Sequence, residues 1–203
     1  MKKIGILGGT FDPVHYGHLR LAEDAAASGK LERVVFIPAK LSPFKLNNKV
    51  APAQERLDMV RLAVEDNPLL EVSSCELDSE GISYTYLTMR KMKQIWGEDS
   101  QLFFITGTDA FLKIEKWKEA EELLSSYAFI VGSRPGYRED ELDTCIERVR
   151  RVHNTVVIKI DNRKFDISST EVRRRAAMRL SAKDLIPEKV ENYIRMRGLY
   201  IER

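Results

Sequence analysis

The sequence predicts an α/β protein built on a doubly wound parallel sheet and finished by a C-terminal helical cap. Three observations predict it. Apolar runs of strand length recur along the chain and are continuous rather than alternating, as in strands buried on both faces of a parallel sheet. Helical stretches separate these runs, giving the strand–helix–strand order of right-handed βαβ units. After the last apolar run the remaining chain carries helical patterning only.

The strand candidates are "IGIL" (4–7), "RVVFIPA" (33–39), "LFFITG" (102–107), "AFIVGS" (128–133) and "TVVIKI" (155–160). A weaker one, "EVSSCEL" (71–77), alternates and is partly polar. "YGHLRLAEDAAAS" (16–28) places Leu19, Ala22 and Ala26 on one stripe, with Gly29 as its stop. "PAQERLDMVRLAVED" (52–66) opens on proline and repeats apolar residues at Leu57, Val60 and Val64. "SYTYLTMRKMKQIW" (83–96), "AFLKIEKWKEAEELLSS" (110–126) and "EDELDTCIERVRRV" (139–152) also read as helices. The cap spans about 165–203 and reads as two helices, Pro187 opening the second and Gly198 closing it. With no linker, repeat or low-complexity segment, residues 1–203 form one domain, of Rossmann-like architecture. In such sheets ligands bind at the carboxyl ends of strands, near the switch point. "GGTFDPVHYGH" (8–18) lies at one such end and "TGTD" (106–109) at another.

Composition bounds the function. Lys and Arg number 33 against 31 Asp and Glu, a net charge of +2, which argues for no polyanionic partner and suits a small phosphorylated ligand held by a few cations. "RVRR" and the "RRR" at 173–175 are interspersed with acids and read as helix faces rather than an RNA-binding surface. Cys75 and Cys145 are far apart and read as buried or semi-buried thiols of a reducing compartment. The N-terminal apolar run is too short for a signal peptide or membrane span, so a cytoplasmic protein with no membrane or nucleic-acid partner is expected. Monomer and homo-oligomer both stay open.

Gly8 and Gly9 allow a sharp turn close to a bulky ligand. Main-chain N–H groups at that turn and at the following helix start make an anion site. Asp12 and Pro13 suit the opening of that helix, and His15 and His18, three apart, then share its first turn. Imidazoles there can donate to phosphate oxygens. His-x-x-His alone supplies too few ligands for a protein-held metal. The stretch is neither G-x-G-x-x-G nor a P-loop. Ser168, Ser169 and Thr170 are favoured N-cap types, so a second helix tip with phosphate-binding amides and hydroxyls is expected there, Arg173 projecting from its first turn. Arg174 and Arg175 read as solvated, or paired with neighbouring acids.

These residues carry a resemblance. "GGTFDPVHYGH" resembles the G-[GS]-[ST]-F-D-P-x-H-x-G-H signature of the nucleotidyltransferase superfamily, and "ISSTEVR" (167–173) its second signature, I-S-S-T-x-[IV]-R. "FIPAKLSPFK" (36–45), "SYTYLT" (83–88), "GTDAFLKIEKW" (107–117), "VGSRPG" (131–136) and the closing "IPEKVENYIRMRGLY" are similar to segments of the bacterial nicotinate mononucleotide adenylyltransferase family. Two positions depart from that family: Phe44 stands where it has His, and Leu87 where it has Asp.

The resemblance implies transfer of the adenylyl group of ATP to nicotinate mononucleotide, a step of NAD synthesis, with Mg²⁺ carried mainly on ATP phosphates. It implies that Gly8, Gly9, Thr10, Phe11, His15 and His18 line the ATP phosphates and ribose. Ile167, Ser168, Ser169, Thr170 and Arg173 face them from the other side. Gly107 and Asp109 meet the adenosine ribose, Lys45 lies nearest the transferred phosphate, and Arg134 adds charge at the triphosphate or adenine edge. On the acceptor side, Thr85 takes the nicotinate carboxylate, Lys45 assists, and Trp117 offers a flat wall; periodicity alone leaves Trp117 equally a core residue. His15, His18, Lys45 and Arg173 form the catalytic set. Phosphopantetheine or nicotinamide mononucleotide as acceptor, and a non-catalytic nucleotide sensor, are the alternatives. The sensor would not need both imidazoles and Arg173.

Overall fold

Side chains alternate along each central strand between two buried clusters, which is why the strands read as continuous apolar runs. Leu7, Val34, Phe36, Phe103, Ile105, Ala128 and Ile130 enter one cluster. Ile4, Ile6, Val35, Ile37, Leu102, Phe104, Phe129 and Val131 enter the other. The computed structural model describes residues 1–41, 50–79, 81–133, 138–161 and 167–201. Within them the strands are β1 (Lys2–Gly9), β2 (Arg33–Pro38), β3 (Leu70–Val72), β4 (Ser100–Gly107), β5 (Ala128–Ser133) and β6 (Val157–Asp161). All pair in parallel, in the order β3-β2-β1-β4-β5-β6.

The helices are α1 (Tyr16–Gly29), α2 (Ala53–Val64), α3 (Thr85–Trp96), α4 (Thr108–Phe111), α5 (Ala120–Ser126), α6 (Glu139–His153), α7 (Ser169–Ala177) and α8 (Glu188–Arg197). Residues of α1, α2, α7 and α8 pack in the first cluster, and those of α3, α4, α5 and α6 in the second, so both faces are covered. The doubly wound sheet with a terminal helical cap is therefore the fold. The described helices include none long and apolar enough to cross a membrane.

Strand order reverses between β1 and β4, which defines a topological switch point. The ladder between these two strands ends at Ile6↔Phe104. Yet β1 stays paired with β2 as far as Gly9↔Pro38, and β4 with β5 as far as Gly107↔Gly132. Beyond Ile6 and Phe104 the two central strands part, and a crevice opens at their carboxyl ends.

Three expectations are corrected. The strand foreseen over 71–77 is only Leu70–Val72. After it Ser73 accepts the Cys75 N–H and Ser74 donates to Asp78, local side-chain bonds that compete with a strand ladder. The single helix foreseen over 110–126 is broken: α4 is followed by a 3-10 turn at Ile114–Lys116, and α5 begins only at Ala120. Trp117 is extended (φ −75°, ψ 154°) and Glu119 left-handed (φ 54°). Tertiary packing overrides helix propensity here, because the break lets Trp117 meet Phe104 edge-on at 5.8 Å while Leu123 and Leu124 are both buried. Finally, Asp12 and Pro13 do not open α1. The chain passes through a cis Asp12–Pro13 peptide and starts the helix at Tyr16, with His15 as N-cap.

Candidate active site

The turn after β1 is built around Phe11. Its φ of 49° puts a non-glycine residue in the left-handed region, and its ring is buried against Phe36 at 5.5 Å. That ring lies so close to the main chain that a Cβ on Gly9 would come within 3.0 Å of it. The other face of the turn carries the histidines. His15 and His18 stack with centroids 3.7 Å apart and planes 25° from parallel, and Phe11 meets His18 edge-on at 5.0 Å. The His15 N–H donates to His18 Nδ1 at 3.2 Å. In neutral His18 that bond leaves the ring proton on Nε2, which is then a donor. Gly17 makes the stack possible: a Cβ there would lie 3.0 Å from two atoms of the His15 ring.

The tip of α7 closes on this turn. Ser168 is its N-cap and accepts the Glu171 N–H at 3.2 Å, as its residue type suggests. Ser169 Oγ donates to the Pro13 carbonyl at 2.9 Å. Arg173 donates to the Asp12 carbonyl at 2.7 Å and to Thr170 Oγ1 at 3.2 Å. The carbonyl of Ile167 lies 3.8 Å from where a Gly17 Cβ would sit. Two motifs about 150 residues apart thus form one structure at the sheet's carboxyl edge. Arg174 and Arg175 instead bind Glu171, whose carboxyl they hold down at about 2.

A buried polar hub, unannounced in the sequence reading, anchors the turn from below. Arg56 on α2 is 1% exposed and donates to the carbonyls of Thr10 (2.7 Å), Ala51 (2.9 Å) and Lys40 (3.4 Å). Asp12, 2% exposed, accepts at Oδ1 from the Ala51 N–H (3.0 Å) and the Tyr200 hydroxyl (2.9 Å). Periodicity held one clue: Arg56 shares the i, i+4, i+8 stripe of Val60 and Val64.

Across the crevice, Gly107 ends β4 and caps α4, and Thr108 donates to the Gly132 carbonyl at 3.2 Å. Asp109 is exposed, 3.4 Å from Arg138. Phe104 links the two sides, its ring 3.5 Å from a Gly8 Cβ position and edge-on to Trp117. Lys118 lies 4.6 Å over the Tyr84 ring, which joins the segment after Trp117 to the start of α3, where Thr85 is the first residue. Leu87 is 46% exposed on that helix, a surface position. Lys45, Phe44 and Arg134 lie outside the described residues. Among the described residues no group of three or more His, Cys, Asp or Glu could hold a metal ion.

The start of α3 is tied down by Glu76, which accepts from Thr88. Burial raises the Glu76 carboxyl pKa, and hydrogen bonds from Thr88 and Ser83 only partly oppose it. The folded state therefore keeps a proton that the unfolded chain has already released. Stability should fall as pH rises from the ordinary carboxyl range through the raised folded value. Glu76→Gln retains an acceptor for Thr88 and is expected to flatten that slope in thermal melts taken from acid to neutral pH; an unchanged slope would disprove it.

The family model described as "Cytidylyltransferase-like" matches residues 6–175. A "Probable nicotinate-nucleotide adenylyltransferase" of Thermoanaerobacter sp. (strain X514) is 43% identical over 198 residues, covering 98% of this chain and 94% of that protein. One from Moorella thermoacetica is 42% identical over 206 residues, covering 99% and 93%. Among solved structures, Plasmodium falciparum nicotinic acid mononucleotide adenylyltransferase complexed with NaAD superposes with a TM-score of 0.77 at 21% identity, covering 98% of each chain. The same protein complexed with APC gives 0.75. These likenesses establish the fold.

Proposed function

The chain belongs to the cytidylyltransferase-like family, and we propose that it is a nicotinate-nucleotide adenylyltransferase: it transfers the adenylyl group of ATP to nicotinate mononucleotide, giving nicotinate adenine dinucleotide and pyrophosphate for NAD synthesis. The observation that carries the reading is the join between the glycine turn and the α7 tip, through Ser169 to Pro13 and Arg173 to Asp12, beside the stacked histidines. That join offers main-chain donors, hydroxyls, imidazoles and a guanidinium to one triphosphate.

An oxygen of the acceptor's 5′-phosphate forms a bond to the α-phosphorus of ATP. The bond from that phosphorus to the α–β bridging oxygen breaks, and pyrophosphate leaves with the electron pair. The nucleophile is already anionic, so no general base is required, and catalysis consists of positioning and charge stabilisation. His18 donates from Nε2 to the α-phosphoryl oxygens and His15 assists beside it. Gly8, Gly9, Thr10 and Phe11 give the phosphates and ribose a close main-chain surface. Ser168, Ser169, Thr170 and Arg173 hold the outer phosphates, with Ile167 alongside. Gly107 and Asp109 meet the ribose. Lys45 and Arg134 are assigned by family resemblance alone. Mg²⁺ would be held mainly by the nucleotide rather than by this chain's side chains, and would supply charge neutralisation at the phosphates, since it needs few protein ligands.

Pyrophosphate release from ATP and Mg²⁺ tests the reading, with nicotinate mononucleotide, nicotinamide mononucleotide and phosphopantetheine as parallel acceptors. Nicotinate mononucleotide should be fastest, because donors at the start of α3, the Thr85 hydroxyl and first-turn N–H groups, would discriminate against a neutral amide. Release with none of the three would overturn the enzyme reading. Trp117 is proposed as a wall for the pyridine ring. Trp117→Ala should raise the KM for nicotinate mononucleotide about three- to tenfold, the value of one aromatic stack, with the KM for ATP unmoved. Equal changes in both constants would make it a core residue only.

A further inference from the structure

The carboxylate of Asp12 is unevenly used. Oδ1 accepts two hydrogen bonds, from Ala51 and from Tyr200, whereas Oδ2 lies 3.7 Å from Arg173 Nη1, beyond hydrogen-bond reach. The same Nη1 rests on the main-chain carbonyl of Asp12 at 2.7 Å, and the Arg173 side chain as a whole is about one-third exposed (32%). An arginine beside a carboxylate ordinarily settles into a two-point, charge-assisted pair. Here it stops short of one.

Tyr200 donates to the other oxygen of that carboxylate. It follows α8 in a left-handed conformation (φ 65°), and its ring packs against the cluster that holds α1, α2 and α7. Burial and the adjacent Asp12 charge hold the phenol proton far more firmly than in an ordinary tyrosine, so the hydroxyl remains a donor. It is 188 positions from Asp12 in sequence, yet it shares Oδ1 of that carboxylate with the Ala51 N–H.

We infer that Tyr200 is a positioning residue for Arg173: by donating to Asp12 Oδ1 it keeps the carboxylate from capturing the guanidinium, which stays parked on a main-chain carbonyl and available to a nucleoside triphosphate. The inference rests on the proposed role of Arg173 at the phosphates. Without the hydroxyl, Asp12 draws Arg173 into a direct pair that ATP must then break.

A binding cycle tests it without any acceptor. The dissociation constant for ATP with Mg²⁺ is measured by calorimetry for the unmodified chain, Tyr200→Phe, Arg173→Ala and the double variant, each with its thermal midpoint. Tyr200→Phe keeps the ring and should weaken ATP binding about tenfold, as for loss of one hydrogen bond to a charged group. In the Arg173→Ala background the same change should weaken it no further. Losses that multiply in the double variant, or a Tyr200→Phe protein that melts lower but binds ATP normally, would overturn the inference alone. Normal ATP binding by Arg173→Ala would overturn it together with the phosphate role of that residue. A result confined to acceptor choice in the pyrophosphate assay would touch the proposed function and leave this cycle standing.

Discussion

His18→Ala is expected to lower turnover by about 10²–10³, the usual cost of removing one donor aimed at charge that develops in the transition state. The KM for ATP should move far less. The tautomer is the key: His15 N–H occupies His18 Nδ1, so the proton of the neutral ring sits on Nε2. The ring is also held between His15, stacked at 3.7 Å, and the edge of Phe11 at 5.0 Å. A donor fixed this way needs no reorganisation when the α-phosphoryl group becomes more negative. Alanine is a good helix former at this position of α1, so the fold should persist, with a loss of about 1 kcal/mol for the missing His15 N–H partner. Pyrophosphate release under saturating ATP and acceptor, with a melting curve, separates the two effects. Turnover within about threefold of the parent would refute this role for His18.

The inner strands β1, β2, β4 and β5 were legible because their central residues are buried on both faces, so no amphipathic ambiguity arose. The glycine turn and the capped tip of α7, the two elements proposed to hold phosphate, were legible as local structure because glycine pairs, N-cap hydroxyls and closely spaced histidines are local signals. What stayed hidden is non-local. Trp117 sits on what reads as a continuous amphipathic run, and only its packing on Phe104 shows why the helix breaks there. Asp12 looked like a helix-opening residue, yet its partners are Ala51 and Tyr200, the second almost a full chain length away. Glu76 lay inside a presumed strand and proved to be a half-buried acceptor for Thr88. Local pattern reports which face of an element is apolar; it does not report which buried polar groups find one another.

Arg56 shows what such a hub contributes, and Arg56→Met should produce the largest loss of stability of any substitution considered. Replacing a buried charge by an apolar side chain of similar length is often neutral, because the desolvation penalty disappears with the charge. That exception does not extend to Arg56. Burial lowers its pKa and the Asp12 charge opposes this, but its hydrogen-bond partners are three main-chain carbonyls, of Thr10, Ala51 and Lys40. Carbonyls cannot be removed by mutation, and each left without a donor costs about 1–3 kcal/mol. Even with partial compensation the sum is about 3 kcal/mol or more, which corresponds to a fall of roughly 6–12 °C in Tm for a chain of this size. Arg56→Lys restores a cation but not the planar fork, and should fall between. Because Thr10 belongs to the turn that carries the histidines, kcat should drop in both variants even below their melting temperatures. A thermal melt and a turnover measurement at low temperature check both halves. If Arg56→Met melts with the parent protein, the three carbonyls find other donors, and the hub is not what holds the turn in place.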